Sequence, residues 1–290
     1  MRPISLSLLS AVVISGLGSA ASAADLPYKA PPPIIAVPAW SGLYLGLNAG
    51  GSIGWDPMSQ NATFSSTALG ANTLLSSSGR LAPTGWLAGA QIGYNWQVSP
   101  LWVVGLEADW AWSSQKDGVS NSSPASGTVA FFGAGGNGFG YSLATEQKVT
   151  DIGTVRARGG AIVGSTLWYA TGGFAWGTVK DSYNFLGSAN PTIFPAPLQP
   201  GPFLPGGASF SHTRLGWSLG GGVESKLGGG WSAKLEYLYV DLGKFTDTFA
   251  IAINPAYGAG FNAGGVASAA STTHITDNVV RLGLNYQFNR

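Results

Sequence analysis

Apolar and polar residues alternate along eight segments of the chain, and a period of two is typical of β-strands rather than helices. In the segment 101–112, for example, Trp102, Val104 and Leu106 share one parity, whereas Glu107 lies on the other. The remaining segments that follow this rule are 40–55, 85–97, 152–163, 167–178, 213–225, 231–240 and 278–288. The pattern predicts eight strands, each with one apolar face.

Short and long connections alternate strictly between these segments. The short ones are 98–100, 164–166 and 226–230, and the long ones are approximately 56–84, 113–150, 179–212 and 241–276. Such an alternation is typical of an up-and-down barrel that has turns at one end and loops at the other. We therefore predict an all-β membrane protein, an eight-stranded antiparallel up-and-down transmembrane β-barrel with four long outer loops and three short periplasmic turns.

Every charged residue within the eight segments lies on the non-apolar parity, which otherwise holds mostly Gly, Asn, Gln and Ser. The charged residues are Glu107, Asp109, Arg156, Arg158, Arg214, Glu224, Lys234, Glu236 and Arg281. A charge on the lipid face near the bilayer centre costs about 2–4 kcal/mol for Arg or Lys, so this segregation favours a membrane barrel over a soluble sandwich.

The charged residues are expected to point into the lumen and to neutralise one another there. Eight strands enclose little more than side chains, and a buried charge needs a partner. The expected neighbours are Glu107 and Asp109 with Arg156 and Arg158, Glu236 with Arg281, and Glu224 with Lys234. A gated ion path through the same residues is the alternative that the sequence leaves open.

Tryptophan residues flank both kinds of connection, as aromatic girdles do at the two membrane interfaces. Those beside the short turns are Trp96, Trp102, Trp168 and Trp231, and those beside the long loops are Trp55, Trp86, Trp110, Trp112 and Trp176.

Composition supports a membrane location. Charged residues make up 9% of the chain, against about 25% in an average soluble domain. No segment after the N-terminal region offers the roughly 18 uncharged apolar residues of a membrane helix. The net charge of +1 gives no reason to expect nucleic acid as a partner.

The N-terminal region is typical of a secreted protein. Arg2, a short apolar core and the small residues Ala21-Ser22-Ala23 predict a signal peptide at 1–23, cleaved before Ala24. Residues 24–39 are rich in proline and predict an extended periplasmic tether. The barrel is then assigned to residues 40–290.

Two segments carry a resemblance to a known family. Residues 40–50, Trp-Ser-Gly-Leu-Tyr-Leu-Gly-Leu-Asn-Ala-Gly, and the closing strand 281–288, Arg-Leu-Gly-Leu-Asn-Tyr-Gln-Phe, resemble the small alphaproteobacterial outer-membrane proteins of the RopB type. That group includes major surface antigens of Brucella and rhizobia and the haem-binding proteins of Bartonella. The resemblance implies a non-enzymatic, porin-like surface protein whose Tyr286 and Phe288 form the signal for the barrel-assembly machinery.

Candidate chemistry outside the lumen is sparse. His212 and His274 fall near outer strand ends, where haem could be bound, and Asp109, Asp241 and Asp277 could hold a divalent cation with lipopolysaccharide phosphates. Neither pattern is clustered, so we predict no catalytic residues, no metal and no cofactor.

The sequence therefore predicts a non-catalytic surface barrel of the cell outer membrane that contributes to envelope structure. Its expected partners are outer-membrane lipid, lipopolysaccharide, the assembly machinery and host surface molecules. The alternative is a porin-like protein that binds or takes up haem or another small solute.

Overall fold

The computed structural model describes residues 39–66, 70–123, 139–189, 204–252 and 266–288. The chain divides into two units, Met1–Ala36 and Val37–Arg290, and every described residue belongs to the second. The predicted signal peptide lies outside the described residues, as does the predicted tether except for Ala39. No helix in the described ranges is long and apolar enough to cross a membrane.

The described residues form ten β-strands, each antiparallel to its neighbours. They are β1 (Gly42–Gly54), β2 (Asp56–Ser66), β3 (Gly70–Leu81), β4 (Thr84–Gln97), β5 (Trp102–Ser123), β6 (Phe139–Val163), β7 (Thr166–Ala189), β8 (Leu204–Gly228), β9 (Trp231–Ile251) and β10 (Val266–Gln287).

Eight of the strands close into a ring. From β4 to β10 each strand pairs with the next along the chain, and β1 pairs with both β4 and β10. Leu47 of β1, for instance, is opposite Ala90 of β4 on one side and Leu284 of β10 on the other. The predicted antiparallel up-and-down architecture is confirmed, and the eight predicted segments all lie in the ring.

The extent of the strands is where the sequence prediction is wrong. The first long connection contains a hairpin of β2 and β3, and β2 pairs with the outer part of β10 from Met58 to Ser65. The strands β5 to β10 also run for 21 to 25 residues, well into the segments that we predicted to be loops. Beyond a membrane both faces of a strand can be polar, so the apolar alternation that identified the strands ends before the hydrogen-bond ladder does.

Glycine makes two of the short turns possible. Gly164 has φ 65° in the turn between β6 and β7, and Gly228, Gly229 and Gly230 have φ 98°, 63° and 92° between β8 and β9. Other residues rarely adopt this left-handed region. We call this end of the ring the turn end and the opposite end the loop end.

The two faces of the ring differ as the alternation predicts. Large apolar side chains cover the outer face, where Leu47, Phe174 and Leu215 are 70%, 78% and 80% exposed to the surroundings. The charged residues of the ring interior are buried, with Arg156 and Glu236 at 1% exposure.

The interior also contains two apolar layers, which the sequence analysis did not predict. The layer toward the turn end consists of Trp40, Val103, Ile162, Leu167 and Tyr169. The layer toward the loop end consists of Leu87, Ala111, Val149, Ile152, Ala175, Val179, Leu238, Val240, Leu242, Phe245, Ile275 and Val279. The charged residues lie between these two layers.

The pairing of β1 with β4 generates a test of the inner packing. Gly93 is opposite Tyr44, and a Cβ atom at Gly93 would lie 2.3 Å from the Tyr44 hydroxyl oxygen. We expect Gly93→Ala to lower the free energy of unfolding by about 1–3 kcal/mol, because the Tyr44 ring must move in a packed interior. Urea titration of the refolded protein in lipid vesicles measures the effect.

A matched control is Gly159→Ala. Gly159 is also in a strand, but a Cβ atom there would meet no other atom within 4 Å. This substitution should leave stability nearly unchanged, and equal losses in both variants would contradict the packing of Tyr44 over Gly93.

Candidate functional site

Arg156 of β6 occupies the centre of the lumen and contacts three carboxylates. Its guanidinium nitrogens lie 2.6 Å from Glu107, 2.8 Å from Asp109 and 3.1 Å from Glu236. Glu107 and Asp109 come from β5, whereas Glu236 comes from β9 on the other side of the ring. Arg156 therefore joins the two sides of the barrel through its interior.

Two further cations complete this cluster. Arg281 of β10 lies 2.8 Å from Asp109 and 2.6 Å from Glu236, and the Lys234 ammonium lies 2.8 Å from Glu107. Each carboxylate thus accepts hydrogen bonds from more than one cation, which is the arrangement that buried charges need.

Arg158 extends the cluster toward the turn end. It lies 2.7 Å from Glu224 and 3.6 Å from Glu107, and it donates a hydrogen bond of 3.0 Å to the Tyr44 hydroxyl oxygen. The Tyr44 hydroxyl in turn donates to Glu107 at 2.7 Å. We use the name lumen network for the eight charged residues Glu107, Asp109, Arg156, Arg158, Glu224, Lys234, Glu236 and Arg281.

Two details differ from the sequence prediction. Glu224 and Lys234 are opposite each other across β8 and β9, as expected. However, the Glu224 carboxylate binds Arg158, and Lys234 reaches Glu107. The reason is that inward side chains in a narrow barrel meet partners from distant strands, which cross-strand register does not reveal.

Arg214 is the second difference, because it does not join the lumen network. Its guanidinium carbon lies 4.2 Å from the ring centre of Phe245, in the layer toward the loop end. Without Arg214, the network balances four carboxylates against four cations, and each of the eight residues is 5% exposed or less.

Sequence reasoning missed three aromatic residues of the lumen. Tyr44 and Tyr169 donate hydrogen bonds to Glu107 and Glu236, and the Trp40 side chain is fully buried at the turn end. For Tyr44 and Tyr169 the available signal was their position on the polar parity of a strand.

The lumen is closely filled at the upper edge of the network. A cavity of about 10 Å³ lies there, bounded by Asp109 and Arg281 on one side and by Leu238, Val240 and Val279 on the other. Such a volume holds at most one water molecule.

A second polar group lies near the loop end, above the apolar layer. Asp247 lies 2.7 Å from Nε2 of His212 and accepts a hydrogen bond of 3.0 Å from the Tyr183 hydroxyl. Asp181 is buried nearby. Burial and the Asp247 carboxylate raise the pKa of Asp181 to about 7, although the Gln147 amide and the Arg214 guanidinium act in the opposite direction.

The other predicted residues do not form a site. His274 lies 3.0 Å from Asp241, and no group of three His, Cys, Asp or Glu side chains within the described ranges is placed to hold a metal ion. Asp277 accepts a hydrogen bond from Gln115, and Asp109 belongs to the lumen network.

The aromatic residues predicted for the girdles mostly lie on the outer face. Those between 39% and 62% exposed are Trp55, Trp86, Trp96, Trp102, Trp110, Trp112, Trp168 and Trp231, and Trp176 is half-buried over Gly153. Trp217, which the sequence analysis did not assign to a girdle, is 47% exposed. Phe288 is exposed and packs edge-on against Tyr286. Their roles at the interfaces and in assembly stay predictions.

A double-mutant cycle tests the coupling within the lumen network. We expect Glu224→Gln and Arg158→Met each to lower the free energy of unfolding by about 3–5 kcal/mol, because each leaves a buried charge without its partner. The double variant should recover a large part of this loss. Additive losses in urea titrations would show that the two groups do not interact.

Asp181 gives the loop end a dependence on pH. A carboxyl group whose pKa is raised in the folded state stabilises that state at low pH, where the group is protonated. This contribution is lost as the pH rises from about 4, the ordinary pKa of an aspartate, through 7, the pKa in the folded state. We compare the free energy of unfolding of Asp181→Asn with that of the wild type at two pH values. The advantage of the variant should be about 2 kcal/mol larger at pH 8 than at pH 5. Urea midpoints at the two pH values measure this.

The exposed neighbour Glu146 supplies the control for this test. Glu146→Gln also removes one carboxylate at the loop end, but from the outer face. A similar gain in this variant would indicate a general effect of charge rather than the burial of Asp181.

Comparisons with known proteins agree with the geometry. The outer membrane protein beta-barrel domain family matches residues 9–288. The 31 kDa outer-membrane immunogenic protein of Brucella melitensis is 31% identical over 292 residues, which cover 97% of this chain and 99% of that protein. The 25 kDa outer-membrane immunogenic protein of Brucella ovis is 28% identical over 265 residues, covering 89% and 99%.

Solved structures resemble the chain more distantly. The outer membrane protease OmpT of Escherichia coli covers 85% of this chain and 97% of its own, at 9% identity and a TM-score of 0.42. This similarity is too weak to support an argument about function. The family match and the Brucella relatives show that the chain belongs to the outer-membrane β-barrel domain family and resides in the cell outer membrane.

Proposed function

We propose that the protein is a closed, non-catalytic surface barrel that contributes to the structure and integrity of the outer membrane. The observation that carries this proposal is the filled lumen. A barrel whose interior is occupied along its length stabilises the envelope as a structural element without providing a path for solutes.

Three successive layers support the closed state. The Trp40 indole and its apolar neighbours fill the turn end, the lumen network fills the middle, and the layer that includes Leu238 and Phe245 fills the next level. An ion that entered the network would have to separate buried ion pairs, which is costly because the lumen is narrow and poorly hydrated.

The proposal includes no catalytic role and no cofactor. The carboxylates of the lumen network form ion pairs with cations, and Nε2 of each histidine contacts an aspartate. Outer-membrane lipid is the proposed partner of the apolar outer face, and the assembly machinery is the proposed partner of Tyr286 and Phe288.

Conductance across planar bilayers tests the closed state. Refolded protein should give no steady open channel, because the pairs around Arg156 and the two apolar layers block the lumen. A change in gel mobility between unboiled and boiled samples would first establish that the inserted protein is folded, since closed barrels resist detergent until heated.

A steady, large conductance from folded protein would contradict the closed state and favour the porin-like alternative. The contribution to integrity has its own readout in cells that lack the protein. These cells should become more sensitive to detergent, and both the wild type and Gly159→Ala should restore resistance. Unchanged sensitivity would contradict an envelope role.

A further inference from the structure

Three lysine residues form a row across the outer face near the loop end. Lys116 of β5 is directly opposite Lys148 of β6, and Lys148 is directly opposite Lys180 of β7. All three side chains are exposed. We call Lys116, Lys148 and Lys180 the lysine row.

The lysine row is electrostatically unfavourable by itself. Directly opposite residues in antiparallel strands have Cβ atoms about 4.5–5.5 Å apart, and like charges at that distance destabilise the sheet. Among the described residues, no carboxylate lies within 4.0 Å of any of the three ammonium groups. Glu146, two positions before Lys148, and Asp151, three positions after it, offer two negative charges against three positive ones. The row therefore has an excess of positive charge that an anionic partner would neutralise.

The height of the row identifies the surroundings of these lysines. Trp112, an outward residue near the loop end, lies in the same row as Asp151 and Thr178. Lys180 follows Thr178 by two residues, which places it about 7 Å further out along β7. Since Trp112 belongs to the predicted girdle and interfacial tryptophans lie at the level of the lipid headgroups, we infer that the lysines lie beside the headgroups of the outer leaflet.

The other exposed cations of the described strands also lie near the loop end. Arg80 of β3 and Lys244 of β9 are also exposed near the loop end, outside the lysine row. At the turn end the described cation is Lys226, which is half-buried and donates to Gln287. Positive charge on the outer face of the described strands is thus concentrated at the loop end.

We propose that the lysine row binds the phosphate groups of a phosphorylated glycolipid in the outer leaflet. This inference rests on the proposed function, because it names a lipid partner for the surface barrel. A lysine ammonium is a strong point-charge partner for phosphate. The row spans two interstrand spacings, about 10 Å, so a lipid that carries a phosphate at each end of a disaccharide engages two lysines at once. A phospholipid with a single phosphate lacks this second contact.

The membrane face next to the row accommodates the acyl part of such a lipid. A groove of about 750 Å³ begins beside Trp110 and Trp112 of β5, and its floor is formed by the small residues Ala49, Ala88 and Ala90. The side wall opposite the tryptophans includes Leu282 of β10. The groove is almost wholly apolar and shares β5 with the lysine row.

Native mass spectrometry of the refolded protein in detergent tests the inference. The probe is purified bisphosphorylated lipid A, and the compared variants are K116Q/K148Q and R80Q/K244Q. Both double variants remove two exposed positive charges near the loop end, but the second leaves the row intact. Basic residues near anionic lipid contribute about 1 kcal/mol each, so K116Q/K148Q should bind lipid A about 30-fold more weakly. R80Q/K244Q should bind within about threefold of the wild type.

Two additional lipids identify the source of the phosphate. The first is lipid A without its phosphates, which should bind the wild type as weakly as intact lipid A binds K116Q/K148Q. The second is phosphatidylglycerol, which should bind the wild type more weakly than intact lipid A does. Undiminished binding by K116Q/K148Q, equal losses in the two double variants, or equal binding of phosphatidylglycerol would each overturn the proposal. Because the assay does not measure conductance, a closed barrel that fails it would leave the proposed function intact.

Discussion

The need to compensate every buried charge is the constraint on which the interior of this barrel depends. The interior of an eight-stranded barrel is just wide enough for side chains to fill, and little water remains there to screen a charge. Arg156 illustrates the consequence, because its guanidinium contacts carboxylates from both sides of the ring. Each charge in the middle of the lumen therefore requires a partner, and the four carboxylates and four cations of the lumen network satisfy this requirement. The same pairing that makes the charges tolerable also occupies the volume through which a solute would pass.

Compensation by charge alone would leave the ends of the network open to water. The apolar layers prevent this, since Trp40 closes one end and Leu238 with its neighbours closes the other. Exclusion of water lowers the effective dielectric constant around the ion pairs and strengthens each of them. The network and the layers thus depend on one another, and a substitution in either is expected to affect both. A filled and mutually supported interior is better suited to a structural role than to transport.

The sequence predicted the architecture well, because a lipid-facing strand must alternate. It predicted less where that constraint is absent. In the outer parts of β5 to β10 the outward face is polar and the inward face mixes apolar and polar side chains, as with Phe245 and Asp247 of β9. The apolar alternation of a lipid-facing strand does not continue there, so these parts resembled loops. Leu87 and Leu238 lie on the polar parity but point into an apolar layer, which no pattern within a single strand distinguishes. The ion-pair partners could not be predicted either, since Lys234 contacts Glu107 across the lumen rather than the adjacent Glu224. Contacts through a lumen depend on height and side-chain length, not on register.

Cations in the lumen network and cations on the outer face of this barrel differ in whether the chain supplies carboxylates to pair with them. In the lumen network each cation meets a carboxylate of the same chain. On the outer face, by contrast, Lys116, Lys148 and Lys180 stand side by side with little compensation from the chain. Water screens such a row in solution, but a headgroup layer of anionic lipid would neutralise it and remove the repulsion between neighbours. The repulsion that destabilises the row in the isolated sheet is then offset by attraction to the headgroups in the membrane. An uncompensated charge at a fixed height relative to the tryptophans thus makes the stability of the barrel depend on the lipid around it.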